Sequence, residues 1–421
     1  MFPPASRPRT DPGTTARHHR PTPRKDRPMT LGRTLLALTL AALCPLPALA
    51  QALNNPGTAT IEANVVKAAP LPASPENIAS LKLPAGFVIE TFAEGLGKPR
   101  VIVVAPDGAL YVSDRDAGTV TRIDPAKPSE PQVVLRKRDV HGLALHEGRL
   151  FYVTVRSIYA APLNKDGALG PETEIAANLP DAGQHPNRTI AFGPDGMLYA
   201  SLGSTCNECE ERNPENATMV RMRPDGSGRE IVASGLRNTI GFDWQPQTKA
   251  LYGWDDGVDW LGDDQQPEEF NRIEAGKAYG WPYIFGPGLK NLYREPPKGT
   301  LEDWDKASER PLLTWTAHAS SMQMVFYDAG QFPKEYRGDA FVTMHGSWNR
   351  KPPSGYEVLR VRFENGEPRS VEPFVTGFLK EGGPSGWSRF ARPFGLAVAK
   401  DGSLYLGDDQ HGIIYRISYR G

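Results

Sequence analysis

RTIAFGPDGMLYASLGS, residues 188–204, is the stretch on which the fold turns. Side chains alternate through Thr189-Ile190-Ala191-Phe192, a Pro-Asp-Gly turn reverses the chain, and alternation resumes at Leu198-Tyr199. Alternation on both sides of a Gly-bearing turn reads as a β-hairpin with half-buried strands. The phrase recurs along the chain. An aromatic following Leu or Ala stands at Tyr111, Phe151, Tyr199, Tyr252, Phe341 and Tyr405, with turns APDG at 105–108, HEG at 146–148 and AKDG at 399–402 ahead of three of them. One hairpin unit cannot bury both of its faces, but radial stacking of such units can. The pattern predicts an all-β protein: a six-bladed β-propeller with four-stranded antiparallel blades. FVIETF at 87–92 precedes the first repeat and is placed to complete the last sheet and close the ring.

The repeats span 99–123, 141–163, 188–204 with 219–226, 238–257, 321–347 with 356–363, and 394–419. Their spacing is uneven. The interval between Tyr252 and Phe341 is the longest and holds DWLGDDQQPEEFNRIEAGKAYGWPYIFGPG (259–288); a shorter excursion, HGSWNRKPPSG, occupies 345–355. Long loops within compact domains commonly carry function. In a propeller the loops converge on one end of the channel, so site residues are sought just ahead of each repeated strand.

The 421 residues are not all fold. Residues 1–28 are rich in Pro and Arg and are read as an upstream non-structural segment. From Met29, Arg33 supplies a positive flank, Leu35 to Leu43 an apolar stretch and Ala48-Leu49-Ala50 a small-residue cleavage site, the layout of a secretory signal peptide over 29–50. A short membrane anchor is the alternative, but the stretch is too short to span and carries Pro45 and Pro47. A leader arm (51–82) and the propeller (83–421) follow, with no membrane span expected in the mature chain and a periplasmic or secreted location. A formal charge of -1 does not point to nucleic acid. Cys206 and Cys209, in CNEC, are expected as a local disulfide, a metal or redox pair being the sharper alternative. No CxxCH haem motif occurs.

Several blades place a polar residue at the strand entry. His185 precedes the third repeat and is read either as a proton acceptor or as a loop histidine bonded to backbone. Arg237 and Asn238 precede the fourth, where a donor fork and an amide suit a carboxylate or quinone oxygen, a strand-entry salt bridge being the other reading. Arg392 precedes the sixth, His141 the second and His318 the fifth, so the channel is expected to favour a planar, polyanionic ligand. Asp263, Asp264, Glu268 and Glu269 offer hard oxygen donors suited to calcium, or form a solvated acidic loop.

Taken together, LPAGFVIETFA, HPNRTIAFGPDGMLYASLGS, SGLRNTIGFDW, DWLGDDQQPEEFNRIEAGKAYGWPY, HGSWNR and RPFGLAVAKDGSLYLGDD resemble the soluble, pyrroloquinoline-quinone-dependent sugar dehydrogenases, in the aldose sugar and sorbosone dehydrogenase branch. The resemblance runs from about Leu83 to Tyr419. It implies that His185 is the base, that Arg237 and Asn238 flank the quinone carbonyls, that Arg392 binds a cofactor carboxylate, and that Glu269 and the Tyr279 carbonyl bind calcium. It further implies pyrroloquinoline quinone (PQQ) and Ca²⁺ as cofactors, a sugar as substrate and an external electron acceptor. Three positions depart from the pattern. Ser204 stands where the glucose enzyme has an aspartate that orients the base, so another orienting group is expected. Phe394 stands at a second arginine position. Arg350 is taken as the substitute for a cofactor-contacting lysine, and His141 is included among the cofactor contacts. The rival functions are a calcium-dependent lactonase-type propeller and a non-catalytic propeller that binds a glycan or protein.

Overall fold

The computed structural model describes residues 61–181 and 183–421. The expected signal peptide, the upstream segment and the arm up to residue 60 lie outside the described residues. Among the described residues no helix is long and apolar enough to cross a membrane.

The chain folds as a succession of antiparallel meanders. The first comprises Ile102–Val104, Leu110–Asp114, Thr119–Ile123 and Gln132–Arg136; the second Leu143–His146, Arg149–Val153, Ile158–Pro162 and Thr173–Ala176. The third comprises Thr189–Phe192, Leu198–Leu202, Thr218–Met222 and Glu230–Ser234, with Lys277–Ala278 added in parallel. Gly241–Trp244, Leu251–Asp255, Glu268–Arg272 and Leu313–Trp315 form the fourth, and Ser321–Phe326, Ala340–Met344, Glu357–Glu364 and Glu367–Val375 the fifth. In the sixth, Pro393–Val398, Leu404–Asp408 and Ile413–Tyr419 are completed by Phe87–Ala93, which pairs antiparallel with Ile413–Tyr419. The first strand of the domain therefore closes the last sheet, as FVIETF predicts.

The repeated Pro-Asp-Gly and Lys-Asp-Gly turns share one local device. The Asp carboxylate accepts the amide two residues on: Asp107 from Ala109 at 3.0 Å, Asp195 from Met197 at 3.1 Å, Asp401 from Ser403 at 3.1 Å. The glycine that follows each takes positive φ, 96° at Gly108 and 73° at Gly196, which a side chain would resist.

The repeated aromatics are buried between sheets. Tyr111 lies in an apolar cluster shared by the first and second sheets, Phe151 by the second and third, Tyr199 by the third and fourth, Tyr252 by the fourth and fifth, and Phe341 by the fifth and sixth. Tyr405 joins the sixth sheet back to the first. The clusters thus form a closed β-propeller series. Near the axis, Gln323 accepts the Ile102 and Leu396 amides, both at 3.0 Å, and donates to the Ile102 carbonyl at 2.8 Å, pinning the inner strands of three sheets.

The interval 259–315 is not one open loop. Glu268–Arg272 is the third strand of its sheet, Ile284–Phe285 pairs with Leu289–Lys290, and Leu301–Ala307 is a helix. That helix is capped by Thr300, whose hydroxyl accepts the Asp303 amide while Asp303 returns a bond to the Thr300 amide.

Candidate active site

Because the first two strands of each meander are antiparallel, the entry to the first and the exit from the second lie at one end. At that end an aspartate at the exit repeatedly accepts amides from the entry segment. Asp114 takes the Lys98 amide (2.8 Å), Asp255 those of Arg237 (2.8 Å) and Asn238 (2.9 Å), and Asp408 that of Arg392 (2.9 Å). These bonds fix the backbone from which the expected site side chains project.

A cavity of about 170 Å³ opens at this end, and its walls include His185, Arg237, Asn238, Asp256, Glu268, His318 and Trp348. His185 and Asn238 meet across Gly203, where an added Cβ would fall 2.7 Å from His185 Cβ and 3.1 Å from Asn238 Oδ1. The His185 ring has a defined tautomer. Its Nδ1 faces the Ser204 carbonyl at 3.0 Å and Ser204 Oγ at 2.8 Å. A carbonyl only accepts, and Ser204 Oγ spends its own proton on the Cys206 carbonyl at 2.7 Å, so Nδ1 carries the hydrogen and Nε2 is the bare base. Burial, and then the Arg237 charge, depress the imidazole to about 3, keeping it neutral. The group that orients His185 is thus Ser204 itself, at the position where the resemblance expects an aspartate.

Arg237 is buried at 3% exposure and paired with Asp259 at 2.9 Å. Its Nη1 donates to the Asp256 carbonyl at 3.1 Å. Asn238 Nδ2 donates to Asp256 Oδ2 at 3.1 Å, and Asp256 Oδ1 accepts the Ser321 amide and hydroxyl at 2.7 and 2.6 Å. Glu268 accepts the Ser320 amide at 2.8 Å. Burial raises Asp256 to about 7, with Asp255 adding to the shift, and pushes Glu268 well above the usual carboxylate range, with Asp256 adding repulsion. His318 donates from Nε2 to the Gly262 carbonyl at 2.8 Å and accepts Asn349 Nδ2 at Nδ1, 3.2 Å.

Beside Gly346, which also lines the cavity, a second polar cluster forms. Arg392 donates to His345 Nδ1 at 2.8 Å, and His345 Nε2 donates to Asp409 at 3.0 Å. Arg100 pairs with Asp409 and lies 3.7 Å over the Phe394 ring. At the position of the expected second arginine, Phe394 is therefore covered by an arginine from the neighbouring sheet. Sequence reading does not single out Arg100, His345 or Asp409, although Arg100, like Arg237 and Arg392, stands just ahead of the first strand of its sheet.

The other expected contacts fall elsewhere. His141 is 1% exposed, bonded through Nδ1 to the Arg188 carbonyl at 2.9 Å, with Nε2 buried and unpartnered. Arg350 pairs with Asp264 at 3.0 Å and donates to the Pro352 carbonyl, tying two rim loops together, and it does not line the cavity. Glu269 alternates to the face opposite Glu268, where it accepts the Gly286 amide at 2.6 Å and burial raises it to about 8. Tyr279 is buried, its amide donating to the Ser234 carbonyl at 2.9 Å and its hydroxyl to the Arg272 carbonyl. The acidic run thus divides: Asp263 and Asp264 stay on the rim, while Glu268 alone of the four lines the cavity.

Cys206 and Cys209 form the expected disulfide. Among the described residues, the His, Cys, Asp or Glu grouping tight enough to share a metal is Cys206, Cys209 and Glu211, whose two sulfurs are already joined. At the mouth, Trp260 and Trp348 meet edge to face at 5.0 Å and stay 47% and 41% exposed. The described end of the arm straps this rim: Asn64 donates to Asp263 from its amide (2.9 Å) and side chain (2.7 Å), and the Val66 amide donates to the Trp348 carbonyl at 2.9 Å.

An uncharacterised protein of Borreliella burgdorferi is 31% identical over 366 residues, covering 82% of this chain and 93% of that protein. A pyrroloquinoline quinone-dependent pyranose dehydrogenase of Coprinopsis cinerea is 21% identical over 411 residues, covering 82% of this chain and 56% of that protein. Among solved structures, the calcium structure of a Trichoderma reesei carbohydrate-active enzyme of family AA12 superposes with a TM-score of 0.69 at 22% identity, over 80% of this chain and 97% of that one. The holo PQQ domain of the Coprinopsis cinerea pyranose dehydrogenase gives 0.68 at 18% identity, over 83% and 98%. These superpositions establish a common fold. A family model described as TrAA12-like matches residues 81–271 and 292–420, and the chain belongs to that family, among the soluble PQQ-dependent sugar dehydrogenases that its motifs resemble.

Proposed function

We propose that this chain is an exported, six-bladed propeller oxidoreductase that uses PQQ to oxidise an aldose sugar or a sorbosone-like aldehyde. The observation that carries the proposal is the His185 tautomer: Nδ1–H is spent on Ser204, and the bare Nε2 belongs to a side chain that shares a cavity with Arg237 and Asn238. The donor set suits a planar polyanion. Arg237 keeps one Nη1 hydrogen beyond its bond to the Asp256 carbonyl, and Arg392 donates one hydrogen to His345 and retains the rest of its fork. Asp256 and Glu268 oppose an anion unless protonated or bridged by a cation, and burial already favours their protonated forms.

When bound, PQQ would supply the electrophilic centre that takes hydride from the substrate carbon. His185 Nε2 receives the hydroxyl proton, and Ser204 holds the ring while its charge changes. Arg237 and Asn238 would orient the bound quinone, and Arg392 would hold one of its carboxylates. Trp260 and Trp348 present apolar ring faces at the mouth, suited to the C–H face of a sugar. Calcium belongs to the same proposal, with Glu269 and the Tyr279 carbonyl as ligands: a buried carboxylate penalised by desolvation is relieved by a bound cation. Electrons would leave to an external acceptor from a periplasmic or secreted enzyme.

The test is dye-linked oxidation of a panel of aldoses and sorbosone, with and without PQQ and calcium. Turnover that needs both additions is expected, and His185→Ala should lower it by roughly 10²- to 10⁴-fold while the cofactor still binds. A chain that neither turns over nor perturbs the cofactor's absorbance would return the lactonase and binding-propeller readings.

A further inference from the structure

Cys206 and Cys209, with Cα atoms 6.1 Å apart, close a tight covalent ring beside the cavity, and Asn207 lies inside it. Both oxygens of Asn207 face the Arg237 guanidinium. The main-chain carbonyl accepts Arg237 Nε at 2.9 Å, and the side-chain oxygen accepts Nη2 at 2.8 Å. The same oxygens accept Trp281 Nε1 at 3.2 Å and the Asp259 amide at 2.9 Å, so Asn207 also joins Arg237 to the segment carrying its ion-pair partner. One residue earlier, the Cys206 carbonyl accepts Ser204 Oγ, the group that receives His185 Nδ1. The Thr205 carbonyl accepts the Gln184 amide at 2.9 Å, directly before His185, and Glu211 holds Thr205 by amide and hydroxyl at 2.5 and 2.8 Å. Closing so short a loop removes little entropy from the unfolded chain compared with a long one. The consequence of this crosslink is therefore local.

We propose that Asn207 is a positioning residue for Arg237, and that the Cys206–Cys209 ring is the clamp that keeps Asn207 and the Cys206 carbonyl in register. One covalent loop then sets the aim of both His185 and Arg237. The kinetic side of this proposal rests on the dehydrogenase reading above; the structural side does not.

Asn207→Ala removes the side-chain acceptor and should lower kcat roughly 10- to 100-fold, the order expected for misplacement by about an ångström. KM should change far less. Asn207→Asp retains an oxygen at that place and should recover most of the loss. Cys206→Ser with Cys209→Ser should leave the thermal midpoint nearly unchanged. In the cofactor-free protein, long-range ¹H–¹⁵N spectra should then show His185 passing from a single Nδ1–H tautomer to a mixture. Wild-type kcat in Asn207→Ala, or an unchanged His185 tautomer in the double serine variant, would overturn the proposal. If the wild type oxidises no sugar, the dehydrogenase reading fails, and the tautomer spectrum still decides for or against the clamp.

Discussion

His185 and His141 illustrate how one residue type at two strand entries acquires different roles from its neighbours. Both donate from Nδ1 to a backbone carbonyl and both are depressed to about 3, chiefly by burial. His185 lines a cavity, whereas the His141 ring is sealed against Phe394, with centroids 5.6 Å apart. The pH consequence is clearest for His141. An unfolded histidine takes up its proton near 6.5, but the native ring does so only near 3. Between those values the unfolded state holds a proton that the native state lacks, so this residue removes stability as pH falls, by up to about 1.4 kcal/mol per unit. His141→Gln keeps a donor for the Arg188 carbonyl and cannot titrate. Urea unfolding at pH 7, 6 and 5 should show its stability relative to wild type rising toward lower pH; a constant difference would mean that the native ring is not held neutral.

At the scale of the element, the strand Leu198–Leu202 delivers its exit residues into the site, and Gly203 sets how closely they approach. Its φ is not in the left-handed region, so the requirement is for space: a Cβ would meet both His185 and Asn238. Gly203→Ala should push them apart and reduce kcat about tenfold or more, with a much smaller loss on thermal unfolding than an apolar core truncation gives. Kinetics and calorimetry on the same preparation check both halves. The strand Glu268–Arg272 makes a related point. Alternation sends Glu268 to the cavity and Glu269 to the Gly286 amide, a division that the acidic run Asp263, Asp264, Glu268 and Glu269 does not disclose as sequence.

At the scale of the molecule, the ring depends on its first strand. Phe87 sits at the centre of an aromatic cluster, with ring centroids 4.7 Å from Phe332, 5.1 Å from Tyr336, 5.0 Å from Phe374 and 5.1 Å from Tyr419. Phe374 belongs to the fifth sheet, Phe332 and Tyr336 to the connection between its first two strands and Tyr419 to the sixth sheet, so Phe87 fastens the closing strand to both meanders. Phe87→Ala should cost about 3–5 kcal/mol, read from denaturant unfolding. A value near 1 kcal/mol would mean that the closing strand contributes little to holding the ring.

The local sequence determined the hairpins, their turns and the buried aromatics, because alternation, Asx turns and positive-φ glycines are written within a few residues of one another. It also placed His185, Arg237, Asn238 and Arg392 at strand entries, since each stands within four residues ahead of the first strand of its sheet. The strand exits carry equal weight. Asp255 and Asp408 end the second strand of their repeats, Asp256, His345 and Asp409 follow it, and the antiparallel pairing of the first two strands brings them to the same end. That pairing is itself written in the alternation and turn of each hairpin. Other assignments had no local signal: Ser204 as the partner of His185, Arg100 reaching over Phe394, Asn207 holding Arg237, and Arg350 turned to Asp264. Each depends on which side chain a neighbouring sheet or loop brings within hydrogen-bond distance, and only the tertiary structure decides that, because such contacts join residues whose separation along the chain says nothing of their separation in space.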